Sequence, residues 1–424
     1  MQPSDLVLAV FLALFLLHWA LETALDGLNL VHVLRVTPRI PPELAAQVTP
    51  GQQRRAAAYA AARLRLGLVR RTVLAGAVLA LLLSGVLPAW EAALAGWGLE
   101  PPHRGVGLLV SIFVALGIAG LPFSLIATFG IERRFGFNRS TFPRWLGDRL
   151  KGLALSAALG LPLLYAVLWF MGAAGAAWWL WVFALVTAVQ LVLAWLYPAL
   201  IAPLFNRFTP LPEGTLRSRL EALAHAAGFR TRGLFVMDAS RRSGHSNAYF
   251  FGLLRPRIVL FDTLLAQLDA EQIAAVLAHE IGHFRLRHVL QRVALSSVSL
   301  GLLLYALSWL IAWPPVFQAF GFAASSPHAA LALAMLCGEA FTFWLGPLGA
   351  AWSRRHEYAA DAYAAALLGD GAPMREALVR LNTENLAHLQ PHPWYGAWHH
   401  SHPTLLQRLA ALRAPSTVPG GRPA

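Results

Sequence analysis

The segment AWWLWVFALVTAVQLVLAWLYPALI, residues 177–201, carries no charged side chain over 25 positions. An α-helix rises 1.5 Å per residue, so about 20 apolar residues cross the hydrocarbon core of a bilayer. The segment is therefore read as a membrane span. Six comparable runs lie on either side of it, at about residues 6–25, 72–89, 106–129, 153–173, 293–313 and 329–352. The whole chain agrees with them. Of its 424 residues, 57% are hydrophobic and only 13% charged, where a soluble domain carries about 25%. The predicted fold class is an α-helical polytopic membrane protein with about seven transmembrane helices and a small α+β part on the cytosolic face.

The loops orient the bundle. The first connection holds Arg35, Arg39, Arg54, Arg55, Arg63, Arg65, Arg70 and Arg71, and the third holds Arg133, Arg134, Arg139, Arg144, Arg149 and Lys151. The second has only Arg104, and the fourth and sixth have no Lys or Arg. By the positive-inside rule the N-terminus lies outside and the C-terminus in the cytosol, which needs an odd number of spans. No basic stretch precedes the first run, so it reads as a span rather than a signal peptide. The net charge of +13 points to anionic lipid headgroups as partners. No compact basic patch interleaved with aromatics points to nucleic acid. Cys337 is the sole cysteine, which excludes an intramolecular disulfide and a cysteine-based metal site.

The expected organisation is an N-terminal five-span bundle (1–205), a cytosolic segment (206–292), two further spans (293–352), a second cytosolic segment (353–413) and a disordered tail (414–424). In the first cytosolic segment, residues 216–227 read as an amphipathic helix closed by Gly228. Residues 233–237 read as a short strand. Residues 248–251 and 257–261 read as two strands joined through Gly252 and Pro256. Asp269 is the expected N-cap of a helix from 270 to about 290.

That last helix carries His279-Glu280-Ile281-Gly282-His283. Histidines at i and i+4 lie one turn apart on one face, so both imidazoles can reach one zinc ion. Glu280 is placed to take a proton from a water that the metal holds. A catalytic zinc needs a third protein ligand and an open position. Glu357 could supply that ligand, with Asp361 one turn on to orient an imidazole. The same stretch also reads as an exposed charged helix with local ion pairs. A histidine of the cluster His399, His400 and His402 could stabilise an oxyanion. Residues 401–403 could equally be a turn and a helix start, with Pro403 near its first position.

Taken together, the motifs resemble the CAAX prenyl protease type I family of integral-membrane zinc metallopeptidases. The likeness runs through Leu121-Pro122-Phe123-Ser124, Phe135-Gly136-Phe137-Asn138, Ile201-Ala202-Pro203-Leu204-Phe205-Asn206 and Thr209-Pro210-Leu211-Pro212. It continues in His245-Ser246-Asn247-Ala248-Tyr249-Phe250, Ile258 to Leu265, Ser401-His402-Pro403-Thr404 and Arg408-Leu409. The resemblance implies seven spans around a water-filled chamber and one zinc per chain, held by His279, His283 and Glu357. It implies Glu280 as general base and acid, Asp361 behind a zinc ligand, and His402 as the stabiliser of the transition state. Asn247 and Ala248 match the family's edge strand, which pairs with an extended peptide or protein substrate, prenylated or membrane-associated. The Ala- and Arg-rich composition suggests a bacterial inner membrane, where a prenylated substrate is not assured. Competing readings are a general membrane quality-control protease, a scaffold or translocon-clearing factor, and a transporter. No internal repeat supports the last. Glu22 and Glu339 fall at or within spans and are either functional or helix–helix hydrogen-bond partners.

Overall fold

The computed structural model describes residues 1–413 except 38, 230 and 252–255. Seven of its helices are long and apolar enough to cross a membrane. The bundle begins with α1 (Pro3–Val36), α2 (Pro50–Leu83), a short α3 (Val86–Gly96) and α4 (His103–Leu125), which runs on as a wider π turn, Ile126–Glu132. Then come α5 (Phe142–Ala173) and α6 (Trp178–Leu196). Several start with Pro in the first turn, where the missing N–H removes no intrahelical bond. Thr49 caps α2 reciprocally with Gln52.

The helices outrun the apolar runs that revealed them. The first two are 34 residues each, about 50 Å at 1.5 Å per residue, so their polar ends leave the hydrocarbon. The segment after α6 also departs from expectation. Its helix gives way at Tyr197–Ile201 to a π turn, because Pro198 has no N–H for the α ladder.

The cytosolic layer follows. It holds β1 (Phe208–Pro210), α7 (Thr215–Ala226), β2 (Leu234–Met237), β3 (Ala248–Phe251), β4 (Arg257–Phe261), α8 (Asp262–Gln267) and α9 (Ala270–Arg285). The sheet order is β1-β2-β4-β3, with β2 parallel to β4 and the outer pairs antiparallel. The expected strand pair has the register Ala248↔Leu260, and β3 forms one edge. The link through Gly252 lies outside the described residues, as does the tail from 414. β1 was not legible in the sequence. Its three residues include a proline, which is tolerated only where no ladder N–H is required.

Two membrane helices and the C-terminal elements complete the chain. These are α10 (His288–Leu310), α11 (Pro314–Gln318), α12 (Pro327–Thr342), α13 (Gly346–Leu368), α14 (Ala372–Glu384), α15 (Pro393–His399) and α16 (Leu405–Arg413). α9 stops at Arg285, not near 290, because Arg287 turns left-handed with φ 58° and starts α10 at once. After one 3-10 turn α12 passes into α13, so the seventh span and the helix that follows it form one 42-residue rod.

Two main cores result. One lies between the spans, around Phe11, Leu108, Ile112, Phe317 and Leu333. The other lies in the cytosolic layer, around Leu220, Leu260, Leu264, Ala274 and Ile281. Between the spans there are also cavities. One of about 580 Å³ is lined by Arg63, Arg70, Arg149 and Glu132, and a neighbour of about 330 Å³ by Arg70, Arg71 and Glu339. Glu22 and Asp26 of α1 pair with Arg71 of α2, so Glu22 serves to join helices.

Candidate active site

α9 is built to hold one face rigidly. Asp269 accepts from the Gln272 N–H at 2.9 Å, and the Gln272 side chain accepts from the Asp269 N–H at 3.3 Å, a reciprocal cap that fixes the helix start. From Ile273 to His279 every residue is buried. Opposite lies α13, and Gly282 sets how close the two come. A Cβ on Gly282 would stand 3.2 Å from the Cα and O of Ala360, a backbone contact that no rotamer change relieves. Thus the fourth residue of the His279–His283 pentad is a spacer.

That approach brings the donors together. His279 Nε2 and His283 Nε2 stand 3.1 Å apart. Glu357 Oε2 lies 3.5 Å from His279 Nε2, and Glu357 Oε1 lies 3.3 Å from His283 Nε2. Glu357 is 1% exposed, and its two oxygens face imidazole nitrogens of His279, His283 and His402. A carboxylate buried that deeply is costly unless positive charge meets it. Tetrahedral ligands about 2.05 Å from a zinc ion stand about 3.3 Å from each other. The observed spacings fit that group, and two imidazoles with a carboxylate suit zinc chemically.

Asp361 lies one turn beyond Glu357, and its Oδ1 is 2.8 Å from His279 Nδ1. A proton on Nδ1 then leaves the Nε2 lone pair facing the other donors. Arg408 of α16 holds Asp361 in turn, with Nε and Nη2 at 2.7 and 2.6 Å from its two oxygens. Nothing in the sequence around Arg408 announces this role. The partners are 47 residues apart, and nothing local couples them.

Glu280 follows His279 and is only partly buried. Burial pushes its carboxyl above the ordinary carboxylate range, while His279 and His283 beside it pull the other way. His402 comes in from the loop between α15 and α16. Its Nδ1 is 2.8 Å from Glu357 Oε2, yet the ring is 63% exposed. It borders a cavity of about 290 Å³ together with Asn382, His400 and Thr404. Arg354 of α13 steadies the stretch before it by donating to the His400 carbonyl at 2.8 Å. Pro403 lies two residues ahead of α16 rather than in its first turn.

Asn247 and Ala248 lie on the sheet, at the start of β3, which packs against α9. The Asn247 carbonyl accepts from the Phe261 N–H at 3.1 Å, and its side chain accepts from the Ala248 N–H at 2.9 Å. Just before them, His245 is held between Glu132 and Asn385, each 3.2 Å from a ring nitrogen, and stacks on Phe137. Arg242 reaches Asp148 of α5 at 2.9 Å. The lead into β3 is therefore fastened to the membrane helices.

A seven-span bundle with such a donor group on a helix beneath it defines an integral-membrane metallopeptidase. Residues 30–207 match the model of the CAAX prenyl protease N-terminal region, described as five membrane helices, and residues 210–416 match that of peptidase family M48. The CAAX prenyl protease 1 homolog of Oryza sativa subsp. japonica is 34% identical over 96% of this chain and 97% of its own. CAAX prenyl protease 1 of Saccharomyces cerevisiae is 37% identical over 72% of this chain and 71% of its own. The crystal structure of S. mikatae Ste24p superposes with a TM-score of 0.87 at 29% identity, covering 97% of this chain and 99% of the other. The chain belongs to peptidase family M48, as a member of the CAAX prenyl protease type.

Proposed function

We propose that this metallopeptidase removes the C-terminal tripeptide of prenylated CAAX-type substrates, with one zinc ion per chain. The observation that carries the substrate class is the near end-to-end likeness to a curated CAAX prenyl protease 1 homolog, over both the membrane and the peptidase parts. His279, His283 and Glu357 hold the zinc in this reading, supported by their convergence at 3.1–3.5 Å. When bound, zinc supplies a Lewis acid and lowers the pKa of a coordinated water.

The protein's own groups carry the rest. Glu280 Oε takes the proton of the attacking water and later gives it to the leaving amine. His402 donates to the oxyanion that develops on the scissile carbonyl, and its exposure leaves it open to a substrate. Asp361 keeps His279 in the tautomer that frees Nε2. Asn247 and Ala248 start an edge strand, and an edge strand can bind an extended peptide through its backbone while tolerating varied side chains. The alternation of basic loops supports a cytosolic C-terminus, and the composition supports a bacterial cell membrane.

The test is cleavage of a farnesylated CAAX peptide by purified protein in detergent, with Glu280→Gln beside the wild type and zinc measured in both. The wild type is expected to cleave. The variant is expected to keep its zinc and lose about 10²–10⁴-fold in rate, the usual contribution of a general base. Zinc-loaded wild type that cuts unfolded membrane proteins but no prenylated peptide would replace the substrate class with membrane quality control. Zinc-loaded wild type that cuts neither would overturn the assignment.

A further inference from the structure

The second histidine of the pentad has a partner of its own. His283 Nδ1 lies 2.9 Å from Nδ1 of His288, the first residue of α10. His288 is 4% exposed. Its ring stacks flat on His356, centroids 3.9 Å apart and planes 5° from parallel, and His356 is one residue before Glu357. Trp352 closes over His356, with centroids 4.2 Å apart. The backbone is bent to reach this arrangement. Arg287 adopts φ 58°, a left-handed conformation that a non-glycine side chain disfavours. That residue lies just past the end of α9, caps α10 and turns His288 back toward His283.

Two Nδ1 atoms at 2.9 Å share one proton, so one ring donates and the other accepts. If His283 turns its Nε2 lone pair toward His279 and Glu357, its proton must sit on Nδ1. His288 Nδ1 is then the acceptor, and His288 is neutral with its proton on Nε2. We infer that His288 is a positioning residue for the metal site, fixing the tautomer and ring angle of His283 as Asp361 does for His279. The two ligands are thus oriented by unlike partners. An anionic carboxylate braced by Arg408 serves His279, and a neutral imidazole clamped by ring stacking serves His283. His288 touches neither substrate nor metal and acts only through His283. The inference rests on the proposed ligand set.

Its test is zinc affinity, read by competition with a chelator on the full-length protein in detergent. His288→Leu fills the space without an acceptor. His288→Asn places an amide oxygen where Nδ1 stood. The leucine variant is expected to bind zinc about 10- to 100-fold more weakly, the range for loss of a group that supports a ligand. The asparagine variant is expected within a few-fold of wild type, and the zinc-free melting temperatures of all three to coincide. Leucine binding as tightly as wild type, or asparagine as weakly as leucine, would overturn the role. A matching loss of melting temperature in zinc-free His288→Leu would assign His288 to packing instead. Wild type that takes up no zinc would overturn the ligand set itself, and this inference with it.

Discussion

α2 and α9 are both helices rich in Ala, yet opposite forces specify them. Only 6% of the most apolar stretch of α2 is buried inside the protein. In α9, nine of 16 residues are buried. The first is solvated by lipid, so almost any apolar side chain serves and no face is singled out. The second is packed against the sheet and against α7, α13 and α14, where a single methyl group is felt. Membrane helices are therefore written as uniform apolarity. The site helix is written as a sequence of individual fits, and substitutions should separate the two regions sharply.

The largest contrast comes from the donors. Glu357→Ala should abolish peptidase activity and zinc binding together, measured by metal content and turnover. Glu339→Ala, in the rod that also carries Glu357, should leave zinc content unchanged. Equal zinc loss in both would mean that the rod, not the donor, matters.

Next is the brace behind Asp361. Arg408→Ala leaves a 1%-exposed carboxylate without its bidentate partner. Breaking a buried pair from one side costs about 3–5 kcal/mol, seen as a lower melting temperature and weaker zinc retention. Removing Arg242 from Asp148, a pair about one-quarter exposed, should cost clearly less.

The same substitution can then be made twice. Gly282→Ala drives a Cβ to 3.2 Å from the Ala360 backbone, and such overpacking costs about 1–3 kcal/mol. Gly76→Ala in α2 meets nothing within 4 Å and should be neutral or slightly stabilising, since alanine is the better helix former. Thermal unfolding of both variants in one detergent checks this. Equal losses would erase the proposed difference between lipid-solvated and close-packed helices.

The smallest effect belongs to the surface of the cytosolic layer. Arg219 and Glu271 pair at 2.9 Å with both side chains about half exposed. Arg219→Ala should cost about 0.2–1 kcal/mol, and added salt should mask it.

The spans were legible because lipid imposes length and apolarity on each of them separately, with no reference to a neighbour. The pentad was legible because the spacing of His279 and His283 follows from one helix turn. Glu357 and Asp361 shared that helical logic, although only the family likeness gave them preference over an exposed charged helix. By contrast, nothing local marks Arg408 as the partner of Asp361, or Gly282 as the spacer against Ala360. His288 left only a faint signal, a third histidine five residues past His283, and helical periodicity runs on through it to about 290.

Sequence alone thus determined the membrane class, the number of spans and the helix that bears the histidines. Each of these is set by short-range geometry, either a rise per residue or a turn of 3.6 residues. Only the tertiary structure decided how closely α9 and α13 approach, which carboxylate meets which imidazole, and where a left-handed Arg287 sends His288. Those facts depend on backbones far apart in the chain coming within a few ångströms, and no periodicity in the sequence records such a meeting.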